Sequence, residues 1–177
     1  MATKWVSTES YMVPQDIDQT STVKNNPEGL VIQARDIGDT DLGTGEFIYL
    51  PGVASNAVGF ANNFIRASWA TALVDTGSAS ALTSTIVGPV AIAMSASVAS
   101  RWGWYQVEGI ALIKTLASVA INKPLFPSAT AGSLEDASLS GGAPESILQE
   151  CVTVEIINSD GYTYAYINHP VIAGVNI

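Results

Sequence analysis

Val152-Thr153-Val154-Glu155-Ile156, then Asn158-Ser159-Asp160-Gly161, then Tyr162-Thr163-Tyr164-Ala165-Tyr166 is the stretch that decides the fold. Apolar and polar residues alternate with period two on both sides of a four-residue loop that ends in Asp-Gly. That pattern is a β-hairpin, because successive strand side chains point to opposite faces and Asp-Gly supplies the turn geometry.

Upstream, the same signals recur. Glu46 to Leu50 is a short run bounded by Gly45 and Pro51-Gly52. Val90, Ile92, Met94, Ala96 and Val98 alternate with Ala91, Ala93, Ser95 and Ser97, which predicts a strand over 90–98. Gly103-Trp104-Tyr105-Gln106-Val107 is aromatic and β-prone. Ile110 to Ile121 has apolar residues at helical spacing, but Gly109 and its β-branched residues favour two strands with a turn at Ala117-Ser118. Residues 67–85, rich in Ala, Ser and Thr, read as strand edges joined by a long loop, and 136–144 as a second loop. Many short strands with Gly or Pro punctuation predict an all-β fold, a compact β-sandwich or barrel with a C-terminal hairpin.

Residues 1–40 differ in texture. Their apolar members come singly or in short groups: Trp5-Val6, Tyr11-Met12-Val13, Ile17, Val23 and Leu30-Val31-Ile32. No period runs long enough to close a core. The segment reads as an extended N-terminal arm beside a β-rich domain at 41–177. On this reading the arm orders on contact and lays Trp5, Tyr11, Leu30, Val31 and Ile32 into a partner. Its removal is then expected to leave a folded domain. The alternative is a frayed terminus followed by one edge strand near Leu30 to Ala34.

Composition narrows the function. Charged residues are 13% of the 177, against about 25% in an ordinary domain, and apolar residues are 47%. Such a surface suits an oligomer or a larger assembly. The net charge of −9 arises from 16 acidic and 7 basic residues, and no lysine or arginine follows Lys123. Nucleic acid and anionic membrane are therefore not expected as partners, since both require clustered basic side chains. No run approaches the ~20 apolar residues of a membrane helix. The start Met-Ala-Thr-Lys-Trp lacks the apolar stretch of a secretion signal, so synthesis in a cytoplasm is expected.

Groups that carry chemistry are scarce. Cys151 is the single cysteine, lies in an apolar run and reads as a small buried hydrophobe. His169 is the sole histidine, precedes Pro170, and has no nucleophile-elbow sequence to serve. One Cys and one His are too few for a zinc cluster. Asp36, Asp39 and Asp41 lack the spacing of a calcium loop and read as a solvated acidic turn. Gly43-Thr44-Gly45 has no following Gly-Lys-Ser/Thr. No catalytic residue, cofactor or metal is expected; a paired-carboxylate hydrolase is the one enzymatic class the composition leaves open. Trp102 and Trp104 share one strand face and Tyr105 takes the other, as core or intersubunit aromatics or as a platform for a sugar.

Four pieces carry a resemblance: Gly45-Glu46-Phe47-Ile48-Tyr49-Leu50-Pro51-Gly52-Val53, Gly88-Pro89-Val90-Ala91-Ile92-Ala93-Met94-Ser95, Gly103-Trp104-Tyr105-Gln106-Val107-Glu108-Gly109, and Leu125-Phe126-Pro127-Ser128-Ala129-Thr130-Ala131-Gly132-Ser133. Together they resemble the capsid decoration (cement, head-stabilising) proteins of tailed bacteriophages, over roughly residues 43–135. The resemblance implies a virion protein on the outer capsid surface, often a homotrimer at three-fold positions. Such proteins clamp neighbouring major capsid protein subunits and have no catalytic residues to carry over. The first 40 residues and the final hairpin lie outside it. The rival expectation is another virion or adhesive β-module, in a fibre, tail or sugar-binding domain.

Overall fold

The computed structural model describes residues 4–8, 14–38, 40–74, 88–116, 119–136, 146–157 and 161–174. Every regular element among them is a strand: β1 (Trp5–Ser7), β2 (Thr20–Ser21), β3 (Val31–Asp36), β4 (Thr44–Pro51), β5 (Ala61–Phe64), β6 (Thr71–Leu73), β7 (Gly88–Ala93), β8 (Trp102–Lys114), β9 (Pro124–Pro127), β10 (Leu134–Asp136), β11 (Ser146–Ile157) and β12 (Tyr162–Gly174). The main path runs β1-β3-β4-β8-β7-β12-β11-β9-β10, with β2 on β8 and the β5–β6 pair beside β7. The chain is all-β, of the compact sandwich or barrel-like kind. Among the described residues no helix is long and apolar enough to cross a membrane.

Strand β8 organises the sheet. One edge pairs with β4 from Trp102 to Glu108. The other is shared in succession by β2 at Trp102–Gly103, β7 at Tyr105–Gln106 and β12 at Glu108–Lys114. After Asn168 strand β12 leaves β8 and pairs with β7 through Val171 and Ile172. The departure occurs at His169, whose φ of 50° bends the strand. Strands β7, β8 and β12 thus pair with one another in a closed triangle, which curls the sheet onto itself.

The bend is matched on β8 by Gly109, with φ of 101°. A Cβ there would lie 2.6 Å from the Thr44 carbonyl oxygen and 3.1 Å from Gly45 Cα. Only glycine fits, because it tolerates both this dihedral and this approach. Gly109→Ala is expected to cost about 3 kcal/mol from strain plus overpacking. That lowers the melting midpoint by about 6–12 °C for a domain of this size, readable by circular dichroism.

Burial alternates along β3: Ile32, Ala34 and Asp36 are buried, and Val31, Gln33 and Arg35 are exposed. Ile32 and Ala34 join Trp5, Ile17, Phe47, Tyr49 and Trp104 in one core cluster. Tyr105 and Val107 pack with Ile48, Leu50, Phe64, Ala91 and Ala93 in a second. The third lies under the hairpin and includes Ala111, Ile113, Leu148, Cys151, Ala165 and Ile167 with Val90 and Ile92.

The described part of residues 1–40 corrects the separate-arm picture. Strand β1 pairs with β3 in register, Trp5 opposite Asp36, and the Trp5 ring meets Phe47 edge-on at 4.8 Å. Strand β3 pairs with both β1 and β4, so it is not an edge, and the β3–β4 connection spans the expected boundary at 40. The apolar residues show no period because most of residues 14–30 is irregular chain laid across a sheet face. Trp5, Ile17, Leu30 and Ile32 meet in space, on this domain's own aromatics, whereas Val6, Val23 and Val31 are exposed.

Three strand boundaries also shift. Strand β7 stops at Ala93, where the Met94 amide donates to the Trp104 carbonyl at 3.2 Å, and the chain turns away with Ser95 and Ser97 buried. Strand β8 continues unbroken to Lys114, and the next strand begins at Pro124 rather than before Ile121; Ala117-Ser118 lie outside the described residues. Of residues 67–85, only β6 forms a strand among those described.

Candidate functional site

The residues singled out as arm contacts separate. Trp5 and Ile32 are core residues, Leu30 is partly buried against the same cluster, and Val31 alone faces solvent. Tyr11 lies outside the described residues. Trp5 and Ile32 are therefore not free anchors for a partner: their apolar surface is already buried within the chain.

Trp104 is fully buried, edge-on to Tyr49 at 5.0 Å, and its indole N–H donates to the Gln15 carbonyl at 3.1 Å. Trp102 is partly buried on the same cluster, and its N–H donates to Glu28 Oε1 at 2.7 Å. Gln15 is the hub. Its Oε1 accepts from the Tyr49 hydroxyl at 2.8 Å and from Asn25 Nδ2 at 3.1 Å, while its Nε2 donates to the Gln19 and Trp102 carbonyls. On the opposite face Tyr105 is buried, with Asn56 donating to its hydroxyl and Ser97 beside it at 3.0 Å; burial raises its ionisation above the usual tyrosine range. These aromatics hold the fold.

Outward-facing residues of β8, β12 and β11 form a different surface. Cys151, Thr153, Ala165, Ile167, Ala111 and Ile113 point inward, which turns Val152, Tyr162, Tyr164, Tyr166, Ile110 and Leu112 outward. Register aligns them in rows: Val152 beside Tyr166 beside Ile110, then Tyr164 beside Leu112, then Tyr162 beside Lys114. Tyr166 is 48% exposed, Val152 42% and Val154 39%. Lys114 Nζ sits 4.4 Å over the Tyr162 ring, a cation–π contact closing one end of the patch. Partial burial, then the Glu155 and Asp36 carboxylates, raise the ionisation of Tyr164, so its hydroxyl stays neutral and available as a donor. Sequence alternation showed which of these residues share a face. It did not show that Thr163 and Ala165, the smaller set, would be the ones buried.

At the point where β12 departs from β8, three side chains from three strands meet. Glu46 and Glu108 are opposite one another across β4–β8. His169 Nε2 lies 3.2 Å from Glu46 Oε2, and Nδ1 lies 3.9 Å from Glu108 Oε2. His169 is therefore more than a polar strand end. The sequence reading missed the group because its members lie 62 and 61 residues apart, at 46, 108 and 169, and no local motif connects them.

Two other candidates resolve into structure. Asp36 is buried, which favours its neutral form, but hydrogen bonds from Thr40, Gly38, Leu42 and Lys4 outweigh this and hold its carboxyl below the usual range. It caps the β3–β4 turn and is not a solvated acidic residue; Asp41 is exposed and Asp39 lies outside the described residues. Cys151 is buried, and desolvation pushes its thiol up to about 12, far from the reactive thiolate range.

No family model, curated protein or solved structure matches the chain. The surface itself must carry the functional reading.

Proposed function

We propose that the chain is a viral capsid decoration protein. It binds the outer surface of the major capsid protein shell and stabilises the head by non-covalent clamping of neighbouring subunits. The observation that carries this reading is the outward row of Tyr166, Val152 and Ile110, with Tyr164 and Leu112 beside it, on a three-stranded sheet. Contiguous apolar surface of this kind marks an interaction site. Tyrosines give large contact area at low entropic cost and are enriched among the residues that dominate binding energy. The low charge content of the chain and the resemblance of residues 43–135 to head decoration proteins support the same reading.

Clamping then relies on the hairpin face, with Val31 as a secondary exposed contact, and Trp5, Leu30 and Ile32 serve the fold that presents it. A homotrimer at a three-fold position multiplies weak contacts through effective concentration. The rival reading, a sugar-binding module stacking on Trp102 and Trp104, loses its platform because Trp104 is fully buried and Trp102 is engaged by Glu28.

The test is co-sedimentation of the purified chain with heads assembled from the major capsid protein of the virus that would carry it. Saturable binding at a fixed ratio to capsid subunits, together with heads that resist higher temperature, is the expected outcome. Heads that sediment without the chain at micromolar concentration would refute the proposal.

A further inference from the structure

Glu46 and Glu108 face each other directly in the β4–β8 register, and Glu108 in turn faces Asn168 on β12. Like charges directly opposite in a sheet are destabilising unless a cation lies between them. His169, the residue after Asn168, is held at φ of 50° with its ring beside both carboxylates. Its Nε2 lies 3.2 Å from Glu46 Oε2, and its Nδ1 lies 3.2 Å from Asn168 Oδ1. An imidazole and two carboxylates from three strands thus converge on one point of the sheet, where a bound cation would offset the facing glutamate charges.

We propose that Glu46, Glu108 and His169 bind a divalent transition-metal ion of the zinc type, through one ring nitrogen of His169 and one oxygen from each glutamate. The three ligand atoms lie within 4.8 Å of one another. The 3.2 Å approach of Nε2 to Glu46 matches the ~3.3 Å edge of a tetrahedron with bonds of about 2.0 Å. The Asn168 contact is the outer-shell hydrogen bond that fixes a ligating imidazole. Backbone support is also present, since Gln106 Nε2 donates to the Glu108 and Ile110 carbonyls at 3.0 and 3.1 Å. An imidazole with two carboxylates selects zinc-like ions over calcium or magnesium, which take mostly oxygen ligands in larger number. Such an ion joins β4, β8 and β12 at the branch of the sheet. The partly exposed side leaves a fourth position for water.

The full-length protein, stripped with chelator, is titrated with zinc chloride by calorimetry and thermal melting near neutral pH. One zinc per chain and a melting midpoint raised by about 5 °C or more at hundredfold excess over Kd are expected. Calcium and magnesium chloride at equal concentration should leave the midpoint unchanged. His169→Asn suits the left-handed backbone, and Glu108→Gln relieves the carboxylate repulsion, so both variants should fold. Each should weaken zinc at least tenfold, of the order seen for altered metal shells. Absence of zinc binding, which leaves the imidazole and the two glutamates in contact with one another alone, overturns the proposal. So does zinc affinity unchanged from the parent chain in both variants, which would put the ion elsewhere.

Discussion

A chain lacking residues 1–30 will not give a stably folded domain. The segment carries Trp5 and Ile17, both buried, and each such side chain contributes about 1.5–3 kcal/mol through apolar burial. Its loss also uncovers Phe47, Tyr49 and Trp104, which are fully buried beneath it. Strand β3 becomes an open edge without β1, and the Tyr49 hydroxyl and Trp104 indole lose their Gln15 partners. A domain stabilised by about 5–15 kcal/mol does not withstand the sum. Circular dichroism of the truncated chain should show no cooperative melt near that of the full chain, with dye-accessible apolar surface at room temperature. A truncated chain that melts within a few degrees of the full one would mean that these residues only decorate the fold. The outcome expected from the sequence, a folded domain deprived of its arm, is thereby reversed.

That reversal shows where sequence reading succeeds and fails. Period-two alternation located the β11–β12 hairpin, where one face is core and hydrophobicity records it, while a run bounded by Gly and Pro located β4 and an aromatic, β-prone run located the start of β8; β3 was visible only as the alternative of one edge strand near Leu30 to Ala34. Alternation failed for residues 14–30, where Gln15 is tied to Tyr49 and Trp104, 34 and 89 residues away, Ile17 packs into the same cluster, and no local period exists to detect. It overran at 94–98, where Ser95 and Ser97 are buried polar residues in a turn and imitate the polar half of a strand. Trp5 was legible as an anchor but not as an anchor for its own chain, since an isolated aromatic does not reveal whose groove it fills. The outward tyrosines were legible as a row and illegible as a surface. Which side of a two-faced strand is buried depends on the strands stacked against it. The Glu46, Glu108 and His169 group exists only through register, and register between distant strands is a property of the completed sheet.

Val152→Lys combined with Tyr166→Glu should abolish head binding while leaving the fold intact. The two positions are a cross-strand pair and both face solvent, so opposite charges there attract and stability should change by no more than about 0.5–1 kcal/mol. For a bound capsid the same pair would bury two charges in an apolar contact and remove a tyrosine from its centre. Removal of one central aromatic typically costs 2 kcal/mol or more, and desolvating the new charges adds to it. Affinity should fall at least about 100-fold, since each 1.4 kcal/mol is a factor of ten. Val98→Lys, at a position 48% exposed in the loop before β8, serves as the control and should bind like the unmodified chain. Co-sedimentation measures binding, and size exclusion with light scattering measures assembly of the free protein. A variant that stays assembled and no longer binds heads makes this face the capsid contact; one that dissociates into monomers makes it the self-contact of the oligomer. Unchanged head binding by the Lys/Glu pair would remove the observation on which the decoration reading rests, because no cement contact through this face tolerates two opposed charges at its middle.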